Sequence, residues 1–169
     1  MLLLRSYLTA FLLMTLSTSG SLPEGYRYPT DADRSGDWET FESDVPVPFR
    51  ADADFDGDGR ADQAWILLRD SGKGWGLFVF LGQHDGEPIV HKLDEDSGET
   101  PAQRFGLDVV EPGEYVTACV KGYGDCEPDE PEQLTLVLPG LDFCAFESAN
   151  SYFWWNVKSN AFERTWISD

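Results

Sequence analysis

From Gln63 to the C-terminus, short apolar runs alternate with turn residues, and this alternation constrains the chain more than any other feature. Gln63–Arg69 is one such run, Asp70–Gly74 supplies a turn, and Trp75–Leu81 returns. Runs of this length are short for helices, and their β-branched and aromatic side chains suit a pleated surface. Ile89–Leu93 follows a second turn, Gly82–Glu87, and Asp94–Arg104 reads as a polar loop opening on Asp94, Glu95 and Asp96. Phe105–Val110 and Tyr115–Cys119 read as a further hairpin across Glu111–Glu114. Ser151–Val157 and Ala161–Ile167 read as the last hairpin, across Lys158, Ser159 and Asn160. This spacing predicts an all-β fold of about eight strands, with antiparallel hairpins forming a sandwich or open barrel. Gln63–Arg69 and Trp75–Leu81 are apolar on both alternating faces, so they should be central or covered by a second layer.

The segment before these strands reads differently. Val45–Phe49, with Pro46 and Pro48, cannot be helical and suits an edge strand. Gly36–Glu42 reads as one short N-terminal helix, capped by Ser35 or Asp37, with Trp38 and Phe41 on one face. Met1–Ser21 carries one charge, Arg5, then an apolar run over Tyr7–Leu16 and the small residues Ser17 to Ser21. That pattern predicts a secretory signal peptide. The apolar run is too short to cross ~30 Å of hydrocarbon at ~1.5 Å per residue. The expected organisation is therefore a signal peptide over 1–21, an extended lead-in with a short helix over 22–44, and a single β domain over 45–169. The mature chain should be periplasmic or secreted, with no membrane insertion once the signal is cleaved.

Charge narrows the class of partner. The sequence holds 31 Asp and Glu against 12 Lys and Arg, a net charge of -19. Nucleic acid and anionic membranes both need a basic patch, so neither is an expected partner. The three cysteines fit an oxidising compartment. Cys119 and Cys126 flank a glycine-containing turn, and a disulfide there would contribute about 2.5 kcal/mol in the chain-entropy model. From sequence alone, Cys119–Cys144 and Cys126–Cys144 stay open as pairings.

One motif carries chemistry. Residues 54 to 62 read Asp-Phe-Asp-Gly-Asp-Gly-Arg-Ala-Asp. A curling chain brings the carboxylates of Asp54, Asp56, Asp58 and Asp62 toward one centre, Gly59 permits the sharp turn, and the Arg60 carbonyl can point inward. Such a set of hard oxygens suits calcium. An EF-hand would place a bidentate Glu where Trp65 stands and would continue as a helix; here Ala64–Leu68 continues as strand-type sequence. The spacing, followed directly by a strand, resembles the calcium loop of FG-GAP or VCBS-type repeats, the blade motif of integrin-like propellers. The resemblance covers residues 53–67, in one copy. It implies calcium as the cofactor, with Asp54, Asp56, Asp58, the Arg60 carbonyl and Asp62 as ligands. Residues 146–169 also resemble the ends of bacterial secreted proteins that carry such loops.

Other constellations are weaker. The chain contains no GxSxG, HExxH or P-loop. The two histidines, His84 and His91, read as solvated residues on or near hairpin turns. Tyr152, Phe153, Trp154 and Trp155 are consecutive, so alternation puts two on each face. Trp154 or Trp155 is thus a candidate aromatic surface for a protein or carbohydrate partner. The expected function is a non-enzymatic binding or structural module stabilised by calcium. The alternative is an acidic inhibitor or accessory protein for a basic partner such as lysozyme, recognisable by salt-dependent binding. A carboxylate-dependent hydrolase comes last.

Overall fold

The computed structural model describes residues 21–123, 126 and 131–168. The signal-peptide expectation therefore lies, Ser21 apart, outside the described residues. Among the described residues there are eleven strands: β1 Tyr26–Arg27, β2 Arg50–Ala53, β3 Asp62–Arg69, β4 Trp75–Leu81, β5 Ile89–Asp96, β6 Phe105–Val110, β7 Gly113–Val116, β8 Gln133–Leu136, β9 Gly140–Ala145, β10 Asn150–Asn156 and β11 Ala161–Ser168. One short helix, α1, spans Asp37–Thr40. The first sheet has the order β1-β3-β4-β5, with β2 also paired to β3; the second has the order β11-β10-β9-β6. All pairings are antiparallel.

The period of two builds the core. Ala64, Ile66 and Leu68 of β3 and Trp75, Leu77, Val79 and Leu81 of β4 face the second sheet. Leu107, Leu141, Phe143, Phe153 and Trp155 answer from β6, β9 and β10. This is the all-β sandwich that the strand spacing predicts, and it does not close into a barrel. Burying each such side chain contributes roughly 1.5–3 kcal/mol relative to leaving it exposed. The double-faced apolarity of β3 and β4 also has its cover. On the outer side, Leu67, Phe78, Phe80 and Tyr26 form a second cluster beneath Leu22 and Tyr28 of the N-terminal segment. The Tyr26 and Phe78 rings meet edge to face at 4.9 Å. The second sheet is covered in turn by the β7–β8 hairpin, whose Leu134, Leu136 and Tyr115 pack on Val110, Tyr152 and Ile167.

Several expectations need correcting. Val45–Phe49 is a turn rather than an edge strand, and pairing begins at Arg50. Two prolines remove donors there, but the carbonyls remain useful. Pro48 O accepts from Leu107 N at 2.8 Å and Phe49 O from Ile66 N at 3.0 Å. One short turn thus stitches β6 of one sheet to β3 of the other. The 105–119 hairpin does not form: β6 pairs with β9, and β7 with β8. Pro112, between β6 and β7, sits where the chain leaves one sheet for the covering ribbon. Asp94–Arg104 is not all loop, since β5 runs on to Asp96 and a 3-10 turn spans Ala102–Arg104. Helix α1 is shorter than expected; Gly36 stands at its N-cap, and neither Ser35 nor Asp37 caps it. Trp38 is nonetheless fully buried, and its Nε1 donates to Phe105 O at 2.7 Å.

Candidate metal centre

The acid loop joins β2 to β3 at one edge of the first sheet. Pairing of Ala53 with Asp62 closes its base. Gly57 and Gly59 turn the chain at φ of 78° and 85°, a region that other residues rarely enter. The carboxylates also organise the backbone. Asp54 accepts from Gly57 N and Gly59 N, both at 2.9 Å, and Asp56 accepts from Asp58 N at 3.0 Å. Asp58 accepts from Arg60 N at 2.8 Å. Phe55, fully buried, anchors the loop in the core, while Leu138 lies against Gly57.

This folding brings one carboxylate oxygen each from Asp54, Asp56 and Asp58 within 4.8 Å of one another. Like charges at ~5 Å repel by about 3 kcal/mol at an effective dielectric of 20, less where water reaches them. The effect registers on Asp56, whose pKa is raised by burial first and then by Asp58 and Asp54. Three hard oxygens converging without a neutralising cation among them form an arrangement that can hold a metal ion. The Arg60 guanidinium donates to Asp58 at 2.6 Å.

Asp62 and Arg60 are not part of this group of three carboxylates. Asp62 is fully buried and stands outside the group of three. Its Oδ2 accepts from Phe55 N and its Oδ1 from Gly82 N, both at 2.8 Å. It thereby ties the start of the loop to the end of β4. Burial pushes its carboxyl up to about 6, against the pull of those two N–H groups. Arg60 reaches the cluster through its amide and its guanidinium, both directed at Asp58.

The aromatic candidates separate as alternation requires. Trp155 is buried, with its ring edge-on to Phe162 at 5.0 Å. Trp154 is half-buried, and its Nε1 donates to Thr165 Oγ1 at 3.1 Å. Both line an open groove of about 340 Å³ with Val137, Leu138 and Val157. Val137 and Val157 are 71% and 61% exposed there, an unusual display for two aliphatic neighbours. Leu138 belongs to both features, since it lines the groove and covers Gly57 of the acid loop. No sequence signal pointed to Val137, Leu138 or Val157, because the groove is assembled from two separate hairpins.

His84 is exposed, as expected. His91 is not on a turn; it lies within β5, half-buried and edge-on to Trp155 and Phe162 at 5.6 Å each. Burial lowers its pKa. Cys119 and Cys126 lie at disulfide distance, with Sγ atoms 2.07 Å apart, which resolves the pairing. Cys144 is free and partly buried, and burial pushes its thiol up to about 11. Among the described residues, no helix is long and apolar enough to cross a membrane.

Fold and site together define an all-β sandwich with an Asp-rich loop whose carboxylates are close enough together to hold a metal ion. Compared with family models, curated proteins and solved structures, the chain matches none.

Proposed function

We propose that this chain is a periplasmic or secreted β domain, stabilised by calcium, that acts as a non-enzymatic binding or structural module. The observation that carries the reading is the convergence of Asp54, Asp56 and Asp58 on glycine-turned backbone directly ahead of a strand. Calcium takes six to eight oxygens at ~2.3–2.6 Å and tolerates irregular geometry, which suits a loop donor set. The same spacing underlies the resemblance to FG-GAP and VCBS-type loops. The ion's part is stabilising: it replaces carboxylate repulsion with attraction and leaves the strands where they are. Arg60 would release Asp58 as the ion enters. The groove beside the loop is the natural binding face, because Trp154 presents an aromatic edge among aliphatic side chains. Its partner would be a protein or a carbohydrate, and Leu138 links its shape to the state of the loop. A hydrolase has less to recommend it, since the groove is lined by no carboxylate.

Calorimetric titration of calcium into chelator-stripped protein tests the reading. One calcium per chain is expected, with binding abolished in the Asp56→Ala, Asp58→Ala double variant. Absence of heat in the wild-type protein would remove the metal from the account.

A further inference from the structure

Among the described residues, β8 pairs with β7 alone, so its other edge is open. The phase of that pairing says which backbone groups lie on the open edge. Thr117 N donates to Glu132 O at 3.3 Å, one step beyond the Val116–Gln133 pair. Bonded pairs alternate with unbonded ones in an antiparallel ladder. Leu134 and Leu136 thus turn their amides and carbonyls toward β7, and Thr135 turns its own to the open side. No backbone group elsewhere among the described residues meets Thr135 N or O.

The groove of about 340 Å³ lies along this edge. Thr135, Leu136, Val137 and Leu138 line it and no residue of β7 does, while Trp154 and Val157 line it from β10 and the turn that follows. An open strand edge beside exposed aliphatic side chains suits the addition of an extended segment as a further strand. Main-chain bonds then give affinity, and alternate side chains enter the groove. A carbohydrate finds fewer partners there, because the polar side-chain groups are already engaged. Asn156 Nδ2 donates to Glu163 at 2.6 Å and its Oδ1 accepts from Lys158 N at 2.9 Å, while Trp154 Nε1 is taken by Thr165.

Charge sets the composition of the segment. Leu138 lies against Gly57, between Asp56 and Asp58 of the acid loop. Glu163 stands beside Asn156. Lys158 is the one charged side chain in the lining, on a chain of net charge -19. An apolar residue accompanied by Lys or Arg toward the Leu138 end complements this surface.

We propose that the groove takes an extended segment of a partner protein, apolar and flanked by basic residues, added as a strand to the free edge of β8; this rests on reading the groove as the binding face.

The test selects random linear peptides on the immobilised wild-type protein with chelator present, so that the outcome is independent of calcium. Enriched peptides should carry an aliphatic or aromatic residue beside Lys or Arg. The best of them, synthesised alone, should bind more weakly as salt rises. The Val137→Ser, Val157→Ser double variant, at two exposed positions, should weaken that peptide roughly tenfold. Thr135→Pro removes the outward N–H, spares the pairing with β7 and should abolish binding. Thr135→Ala keeps the amide and should bind within about twofold of the wild type. No enrichment, enriched peptides without basic residues, or binding unchanged in Thr135→Pro or in the valine double variant would overturn the proposal. Oligosaccharides are arrayed in parallel. A sugar that binds the wild type and is lost in the valine double variant would keep the groove as the binding face and overturn the strand addition. Unchanged amide signals in β3 and β4 check that each variant is folded.

Discussion

Gly57 and Gly59 look equivalent in the sequence, and the structure separates them. Both have positive φ, so alanine at either should cost about 1–2 kcal/mol in backbone strain. At Gly59 the new Cβ meets open space, whereas at Gly57 it would come within 2.7 Å of Leu138 Cδ2. Leu138 packs against the core and gives way at a cost. Gly57→Ala should therefore destabilise more than Gly59→Ala in urea melts run with chelator present. Adding Leu138→Ala should remove most of the extra penalty from Gly57→Ala, and a penalty unaffected by Leu138→Ala would refute the contact.

Asp142 is the other residue whose role no pattern revealed. It faces Asp108 across the β6–β9 pair and takes hydrogen bonds from the Asn150 amide. Burial, reinforced by Asp108, pushes its carboxyl up to about 6. A carboxyl raised on folding favours the folded state while protonated. Its contribution is complete below the unfolded pKa near 4 and is lost as pH rises through 6. Asp142→Asn abolishes that titration and keeps an acceptor. The variant should match the wild type near pH 4 and exceed it by about 1–2 kcal/mol at pH 7.5, after discounting for partial exposure. Asp62 titrates in the same direction but is common to both proteins, so it drops out of the difference. Equal stability differences at both pH values would contradict the assignment.

At the scale of elements, period-two alternation carried most of the fold. The runs at 63–69, 75–81, 105–110, 151–157 and 161–167 stand within a residue or two of observed strands, because each turns apolar side chains of one face into a core cluster. Pairing was less legible. Adjacent runs at 105–110 and 115–119 invite a hairpin, yet β6 goes to β9 and β7 joins β8 as a separate cover. What decides this is tertiary: Val110, Tyr152 and Ile167 need a lid, and Tyr115, Leu134 and Leu136 supply one. β1 and β2 were missed because two- and four-residue strands have no period to read. β10 allows a direct test of alternation. Trp155→Ala opens a cavity beside Phe162 and His91 and should cost about 3–5 kcal/mol. Trp154→Ala should cost markedly less and should weaken any ligand of the groove. Comparable losses of stability in the two variants would assign Trp154 to the core and leave the groove without its aromatic edge.

At the scale of the molecule, charge is distributed along β3 with a polarity that composition conceals. One end of the strand carries Asp54, Asp56 and Asp58 on a glycine-turned loop; the other carries Arg27, Arg69 and Lys73 around a cavity. The acid loop was legible because its residues are contiguous, so spacing alone places three of them together. The basic cavity was illegible because its cations come from separate segments, and only the fold gathers them. This polarity bears on stability. Without a cation the loop repels itself, and the repulsion is propped by Arg60 on Asp58 and by Asp62 on two backbone amides. Calcium at ~1 mM binding with a Kd of ~10 µM would add roughly 2.7 kcal/mol by mass action. At about 2–4 °C per kcal/mol for a domain near 150 residues, that corresponds to a rise in Tm of roughly 5–11 °C. Screening adds a second signature. Salt should raise the Tm of chelator-stripped protein, because it weakens the carboxylate repulsion, and should do so much less once calcium has neutralised the cluster. Melting curves over a salt series, with calcium and with chelator, measure both effects together. A Tm that responds equally to salt in the two series would mean that the three aspartates are solvated independently, and their convergence would then have no energetic consequence for the fold.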